Sequence, residues 1–523
     1  MKVNSHNQEF GYELLSAVPY AYELFLQGKL TETVSGKGSE PLYYFSPKHT
    51  INSNARSWFN TAQARRAGLP YTHIHRHEQP DKIFPPYKEV FANEQYKYEK
   101  PILCICNRYN VEWNVEPINY FSPEILDWLF ENLKEHYEII YFPVDIPAEI
   151  QDNAPPLPLG DVEVAKRHKV TLFTELNAQK GWNETLLRVF ANCEHFITMN
   201  GGYSILASLF SGTNMVYSKR GKVQTKELRF GSFWRWYGNL NDQRVLHVDS
   251  YSKLKEKVKA LYIDKLPCLS VLVRTSHRPN YLSNCMKSIE SQSYPNINPV
   301  LICDNDKAVE YSRKYEVRML RVQKREPEQR HSDMVNYGKP FPFNCYLEQA
   351  QQRVQGFVHM LDDDDIYTDE NSVHEIMQKA NLEALTIWKT DFKRGKTVPS
   401  HSFGKRPTLY DVTGIGFCYH TDHRHLTDWS GWKRADYRTA VKLSENLSTV
   451  WIDKTLTALQ DRAGHGSKKD LPDATKAPKF MRVKMVFPDG KEKFQFFQIT
   501  TFEETEKIYN RQGIVCHKLN EYV

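Results

Sequence analysis

The chain has 523 residues, 40% of them hydrophobic and 25% charged. That is apolar material for about two to four separately cored domains, and it excludes disordered, collagen-like and coiled-coil classes. The net charge is +6, and 31 of the 69 basic and 30 of the 63 acidic residues fall in 1–266, so nearly all of the excess lies in the second half; this permits a polyanionic partner without demanding one.

Nine scattered cysteines (Cys104, Cys106, Cys193, Cys268, Cys285, Cys303, Cys345, Cys418, Cys516) include several inside apolar runs. They read as free buried thiols of a reducing compartment, and none has zinc-site spacing. The opening MKVNSHNQEF lacks an apolar signal core and no run of 18 apolar residues exists. A cytoplasmic, soluble protein without a membrane span is expected.

In chain order, helices are expected over 11–29 and within 50–70. PILCIC (101–106) reads as a buried strand, 122–136 as an amphipathic helix and YEIIYFPV (137–144) as the next strand. The Pro-rich 147–161 reads as a loop. A helix (184–193) and a strand (HFITMN, 195–200) lead into GGYSILASLFSG (201–212), a glycine turn opening a helix. Strands at 214–219 and 244–249 and a basic helix at 253–262 complete an α/β pattern over 1–262. A second α/β pattern restarts after a boundary at 263–267. It has strands at 268–275, 298–306, 317–322 and 356–365, and helices at 279–294 and 344–354. Residues 466–479 read as a linker, and 480–523 as a small extension: a hairpin turning at Asp489–Gly490, then a helix over 502–511.

The strand GFVHML runs into Asp362, Asp363, Asp364 and Asp365. Four adjacent carboxylates repel one another unless positive charge sits among them. If the segment stays extended, Asp362 and Asp364 share a face. At the carboxyl end of a parallel strand they stand where α/β ligands bind, with the oxygen donors that hard divalent cations take. A solvated acidic loop is the plainer alternative.

SVLVRTSHRP (270–279), VLICDND (300–306) and HMLDDDD (359–365), in that order and spacing, resemble family-2 glycosyltransferases of the GT-A fold over roughly 267–466. The resemblance implies that Thr275, Arg278 and Asp304 cradle the base and ribose of a nucleotide sugar, most simply a uridine diphosphate sugar. It assigns Asp362 to the ribose and Asp364 to Mn2+ or Mg2+ on the diphosphate. It also implies an inverting reaction with a carboxylate base. In WSGWKRADYRTAVKLSEN (429–446), Asp436 takes that role, with Asp428 and Asp422 as alternatives and helix capping as the structural reading. His465, between Gly464 and Gly466, is expected as a further metal ligand. His423 and His425 are candidates to line the acceptor cleft.

In the first half, Gly201 and Gly202 stand between a strand and a helix, where backbone amides favour an anion. The motif is neither a dinucleotide fingerprint nor a P-loop. Together with EFGYELLSAVPYAY (9–22) it resembles GT-B-type glycosyltransferases over roughly 1–262, which implies a Rossmann-like module. Arg108 stands where it could meet a diphosphate, giving a possible second site of Arg108, Gly201 and Gly202. The wording of 339–367 resembles glycosyltransferases of tailed phages and large viruses. That implies either a glycan or a hydroxymethylated base in DNA as acceptor. Two rivals are a nucleotidyltransferase, against which SHRPNY (276–281) lacks a glycine, and a non-enzymatic carbohydrate- or DNA-binding protein.

Overall fold

The computed structural model describes residues 1–5, 10–53, 83–109, 111, 116–144, 157–176, 181–219, 243–315, 317–325, 333–392, 396–460, 470, 480–486, 488, 492–498 and 515–522. Three short parallel strands open the chain: β1 (Lys2–Asn4), β2 (Glu32–Gly36) and β3 (His49–Ser53), paired in that order. The helix expected within 50–70 therefore fails at its start. His49–Ser53 is extended because its polar side chains are spoken for by β2: the His49 ring meets the Thr33 and Ser35 hydroxyls at 2.8 and 3.1 Å, and Thr50 donates to Glu32 at 2.7 Å. Residues 54–70 lie outside the described residues. The 11–29 stretch is helical in two pieces, Phe10–Leu15 and Ala17–Leu26.

A six-stranded sheet follows, made of β4 (Ile102–Cys106), β5 (Glu138–Phe142), β6 (Thr171–Leu172), β7 (Cys193–Met199), β8 (Thr213–Tyr217) and β9 (Arg244–Val248). All pairings are parallel, in the order β6-β5-β4-β7-β8-β9. Its strands are apolar on both sides because each face carries its own core. Along β4, Ile102, Cys104 and Cys106 belong to one cluster with Phe142 and Phe190, while Leu103 and Ile105 belong to the other with Tyr141 and Ile197. The strand order reverses between β4 and β7, the switch point at which doubly wound sheets bind ligands. Asp161, expected in a loop, instead opens the helix Asp161–Arg167 and accepts from Tyr141 at 2.6 Å.

The second sheet contains β10 (Leu269–Thr275), β11 (Ile297–Cys303), β12 (Arg318–Arg321), β13 (Phe357–Asp362), β14 (Asp365–Tyr367), β15 (Ala384–Asp391), β16 (Thr397–Val398), β17 (Phe417–His420) and β18 (Ser448–Leu459). Its order is β12-β11-β10-β13-β17-β15-β18-β14, with β16 on β15. The first four strands are parallel, and β17 runs antiparallel to both β13 and β15. Gly356, immediately before β13, has φ +83°, and an added Cβ there would lie 2.5 Å from the Cys268 carbonyl oxygen, so both conformation and space call for glycine.

The two sheets meet by their amino-terminal edges. Arg244, at the start of β9, donates to Asn296 Oδ1 at 2.6 Å and to the Ile297 carbonyl at 2.9 Å, at the start of β11. Lys257, in the helix Tyr251–Val258, donates to the Pro295 carbonyl at 2.7 Å. Met319 on β12 packs against the cores of both sheets.

At the end of the chain, β19 (Phe480–Val486) and β20 (Glu492–Gln498) form the expected hairpin. An unforeseen third strand, β21 (Val515–Tyr522), pairs antiparallel with β19 on its other side. The turn at Asp489–Gly490 and the helix expected over 502–511 lie outside the described residues. Cys104, Cys106, Cys193, Cys268, Cys285, Cys303, Cys345 and Cys418 are free thiols, and each of these but Cys268 is buried. No helix among them is long and apolar enough to cross a membrane.

Candidate active site at the carboxyl edge of the second sheet

The acidic run is not extended throughout. β13 ends at Asp362, Asp363 and Asp364 turn, and β14 begins at Asp365. The turn, rather than strand alternation, brings one oxygen each of Asp362, Asp364 and Asp365 within 4.8 Å of one another. Within it, the Asp365 carboxylate accepts from the Asp362 backbone at 2.9 Å, and Gln460 donates to the carbonyls of Asp364 and Asp363 at 2.8 and 3.1 Å.

Two arginines supply the positive charge that the run requires. Arg274 lies beside Asp362 in the β10–β13 register and holds it bidentately at 2.6 and 2.8 Å. Arg278 holds Asp364 at 2.7 and 2.9 Å, reaches Asp363 with the same guanidinium, and lies over the Tyr281 ring. Such fork-on-carboxylate pairs are the strong, directional form of ion pair. Two guanidinium groups against four carboxylates leave the cluster short of cation. Burial accordingly pushes Asp363 up to about 7, and it pushes Asp364 and Asp365 up as well, aided by the neighbouring carboxylates. Three convergent carboxylates in a site that favours more positive charge fit Mg2+ or Mn2+.

The other sequence candidates fall as follows. Thr275, at the end of β10, is buried, and its hydroxyl is shared with Asp363 at 3.0 Å and Tyr311 at 2.6 Å. Arg278 is engaged with the carboxylates as above. Asp304, after β11, contacts the Ser276 hydroxyl and the Tyr346 phenol, each at 3.3 Å, and accepts from the Asn305 side chain at 2.6 Å. Thr275, Arg278 and Asp364 are thus linked through Asp363, while Arg274 holds Asp362 and Asp304 is held by Ser276, Asn305 and Tyr346, all at the ends of three neighbouring strands.

Asp436 stands in the first turn of the helix Ala435–Asn446, half-buried, with Gly414 against its Cβ. Burial pushes its carboxyl up, while the Tyr437 N–H and the charges of Arg274 and Arg438 pull it back. Its alternatives differ. Asp428 is ion-paired at 3.2 Å to both Arg438 and Lys442. Although burial raises it, the Ser430 hydroxyl and these cations bring it down to about 2. Asp422 is exposed beside His420.

His465 lies outside the described residues. His423 and His425 do not line this edge: antiparallel pairing sets His420 opposite Phe357, the first residue of β13, so the segment after His420 leaves at the far end of the sheet, about 17 Å of strand from Asp362. In the first sheet, Arg108 follows β4 and Gly201–Gly202 follow β7, so all three meet at the switch point. An added Cβ on Gly201 would lie 3.4 Å from the Arg108 guanidinium, and one on Gly202 would strike the Phe10 ring.

Four contributors were not foreseen. Arg274 announced itself only as a charge inside the otherwise apolar LSVLVRT. Tyr311 and Tyr346 carried no signal. Asp470 accepts from the backbone of Asn280 and Tyr281 at 3.0–3.2 Å, capping the helix that Arg278 precedes from 190 residues away.

No family model and no curated protein matches the chain. Among solved structures, it is similar to S. aureus TarS 1–349 in complex with UDP-GlcNAc, at 19% identity and TM-score 0.29, over 38% of this chain and 60% of that one. It is also similar to the mannosyltransferase PcManGT from Pyrobaculum calidifontis in complex with GDP-Man and Mn2+ (13%, 0.26, over 39% and 59%). A third is a nucleotidyl transferase from Methanothermobacter thermautotroptrophicus (12%, 0.23, over 36% and 88%). The chain spans about three fifths of the TarS fragment and of the mannosyltransferase.

Proposed function

We propose that the chain is an inverting glycosyltransferase that takes its sugar from a nucleotide sugar, with a uridine diphosphate sugar as the donor. The observation that carries the reading is the turn at Asp362–Asp365, where three carboxylates converge between two arginines at the carboxyl edge of a parallel sheet. In this reading Asp304 and Asp362 hold the nucleoside, and Thr275 acts through Asp363 and Tyr311 to fix the end of β10. Asp364, with Asp365 and His465, holds the metal. A Mg2+ or Mn2+ ion held by these residues would supply positive charge to the diphosphate leaving group. Arg278, on the same carboxylates, is placed to add positive charge toward that leaving group.

Asp436 accepts the proton of the acceptor hydroxyl as its oxygen attacks the anomeric carbon from the face opposite the diphosphate. Its raised basicity suits proton abstraction, whereas Asp428 is too strongly ion-paired to take a proton. The region 1–262 serves as a GT-B-like module whose switch point, with Arg108, Gly201 and Gly202, is a second binding site. The test is incubation of the full chain with a panel of nucleotide sugars and Mn2+, reading released nucleoside diphosphate. Release with a single donor supports the reading, and silence with uridine, guanosine, adenosine and thymidine diphosphate sugars alike would sink it.

A further inference from the structure

Beside the acidic turn runs a ridge of aromatic and cationic side chains, in which Lys339, Phe343 and Tyr410 are exposed, Phe341, Lys433 and Arg434 half-buried, and Tyr346 buried. Residues 338–341 and 431–434 are zipped together: Phe341 N–H donates to the Gly431 carbonyl at 2.7 Å, Lys433 N–H to the Lys339 carbonyl at 3.0 Å, and Pro340 bridges to Trp432. The buried Arg438 staples the underside, lying 4.1 Å from the Tyr337 ring and donating to the Asn336 and Lys433 carbonyls. On top, Lys433 lies over the Phe341 ring, Phe341 meets Phe343 at 5.4 Å, and Phe343 meets Tyr346 at 5.6 Å. Tyr346 reaches Asp304, and the Phe343 carbonyl accepts from Arg274. One end of the ridge is therefore the donor patch.

The other end is Arg434 and Tyr410. Arg434 lies over the Tyr410 ring at 5.3 Å, donates to its hydroxyl at 2.7 Å and also bonds the Val335 carbonyl. Arg434 (φ +64°) and Tyr410 (φ +67°) are both left-handed, two of the four non-glycine residues so held among the described residues. A non-glycine side chain in that region costs free energy, and such strain gathers at working sites. Arg434 is two residues before Asp436. Tyr410 is 68% exposed and Val335 71%, so the ridge presents apolar surface to solvent next to the candidate base. Among the described residues no carboxylate pairs with Lys339, Lys433 or Arg434. Asp428 is taken by Arg438 and Lys442, and Asp333 bonds Asn336.

We infer that this ridge is the acceptor platform and that the acceptor is an anionic glycan, a sugar chain bearing carboxylate or phosphate groups. The inference rests on the transferase reading above and names the substrate class of that same site. Aromatic rings offer flat apolar surface to sugar faces, and cations among them that have no carboxylate partner select negative charge. Duplex DNA fits less well: three cations fall short of the roughly 6–10 phosphate contacts that strong duplex binders make.

The test measures binding of fluorescein-labelled hexagalacturonate, neutral maltohexaose and a hydroxymethylcytosine-containing duplex to the full chain with UDP and Mn2+. The anionic hexasaccharide is expected to bind at least about tenfold tighter than the neutral one and to weaken as salt rises. Lys433→Gln and Arg434→Gln are each expected to raise its Kd about five- to tenfold while moving the neutral chain about twofold or less. Lys433 carries no backbone strain, so it guards against a folding defect at Arg434. Equal affinity for both hexasaccharides, no binding of the anionic one below about 1 mM, or no effect of either variant overturns the inference. So does a duplex that binds about tenfold tighter, which would assign the ridge to nucleic acid instead. Binding of UDP and Mn2+ alone, titrated on the same protein, is lost only if the transferase reading itself fails.

Discussion

The carboxyl edge of the first sheet, after β4 and β7, carries one arginine, two glycines and the buried amide of Asn107, which is satisfied by the Phe121 and Arg108 N–H groups and the Tyr141 hydroxyl. The carboxyl edge of the second sheet, after β10 and β13, carries four carboxylates and two arginines in mutual contact. Both edges follow buried parallel strands, and both lie where such sheets receive ligands. Topology provides the position in each case, but among the described residues only the second edge holds carboxylates that burial leaves short of a counter-ion. That shortage is what a metal and a diphosphate would exploit together. Because the two sheets join by their amino-terminal edges through Arg244 and Lys257, each carboxyl edge is the end of its own sheet opposite this seam.

Four variants would sharpen or break this contrast. Asp364→Ala has the largest expected effect: metal-dependent turnover of the donor falls roughly 10³-fold with the melting temperature retained, because an ion of this kind contributes several kcal/mol to the departing charge. Asp436→Asn should lower transfer about 10²- to 10³-fold and leave donor affinity in place, as measured by UDP-sugar titration. In the wild type, transfer should rise with pH through a midpoint above the ordinary carboxylate range. Burial raises Asp436, its ionised form is the active one, and protonation on the acid side switches it off. Loss of that acid limb in the asparagine variant's residual activity checks the assignment.

Arg278→Ala should tighten binding of Mn2+ to the free protein about tenfold, read by calorimetry, even as turnover drops. The guanidinium occupies the same Asp364 oxygens that a cation would use. Weaker Mn2+ binding would mean that Arg278 organises the site rather than competing for it. The smallest effect is expected from Arg108→Ala, with donor turnover within about twofold of wild type, since that residue lies on the other sheet, at the end opposite the seam. A tenfold loss would mean that the two edges serve one reaction.

Much of this was readable from residues alone, and the failures share a cause. The apolar runs of β4, β10, β11 and β13 name themselves, and the acidic run marks where β13 surfaces. Arg274 could have been matched to Asp362 only with the β10–β13 register in hand. Asp362 and Asp364 come together through a turn that strand alternation does not anticipate. His423 and His425 went to the wrong end because the direction of β17 is set by pairing with β13, a non-local contact. The strands β1, β2 and β3 are three to five residues long and gain their stability from one another, so no single one carries a pattern. Asp470 reaches the helix after Arg278 across 190 residues, a separation at which spacing says nothing.

Cys268 gives the molecule an internal reporter. It is half-exposed, unlike the seven buried thiols from Cys104 to Cys418, and its sulfur stands 3.5 Å from the Arg244 guanidinium, on the seam between the two sheets. Burial holds the thiols of Cys104, Cys106, Cys285, Cys303 and Cys418 in their protonated, unreactive form. A maleimide dye added to the folded protein would thus favour this seam over the interior. Its emission would record, in real time, whether the halves stay clasped while a sugar changes hands.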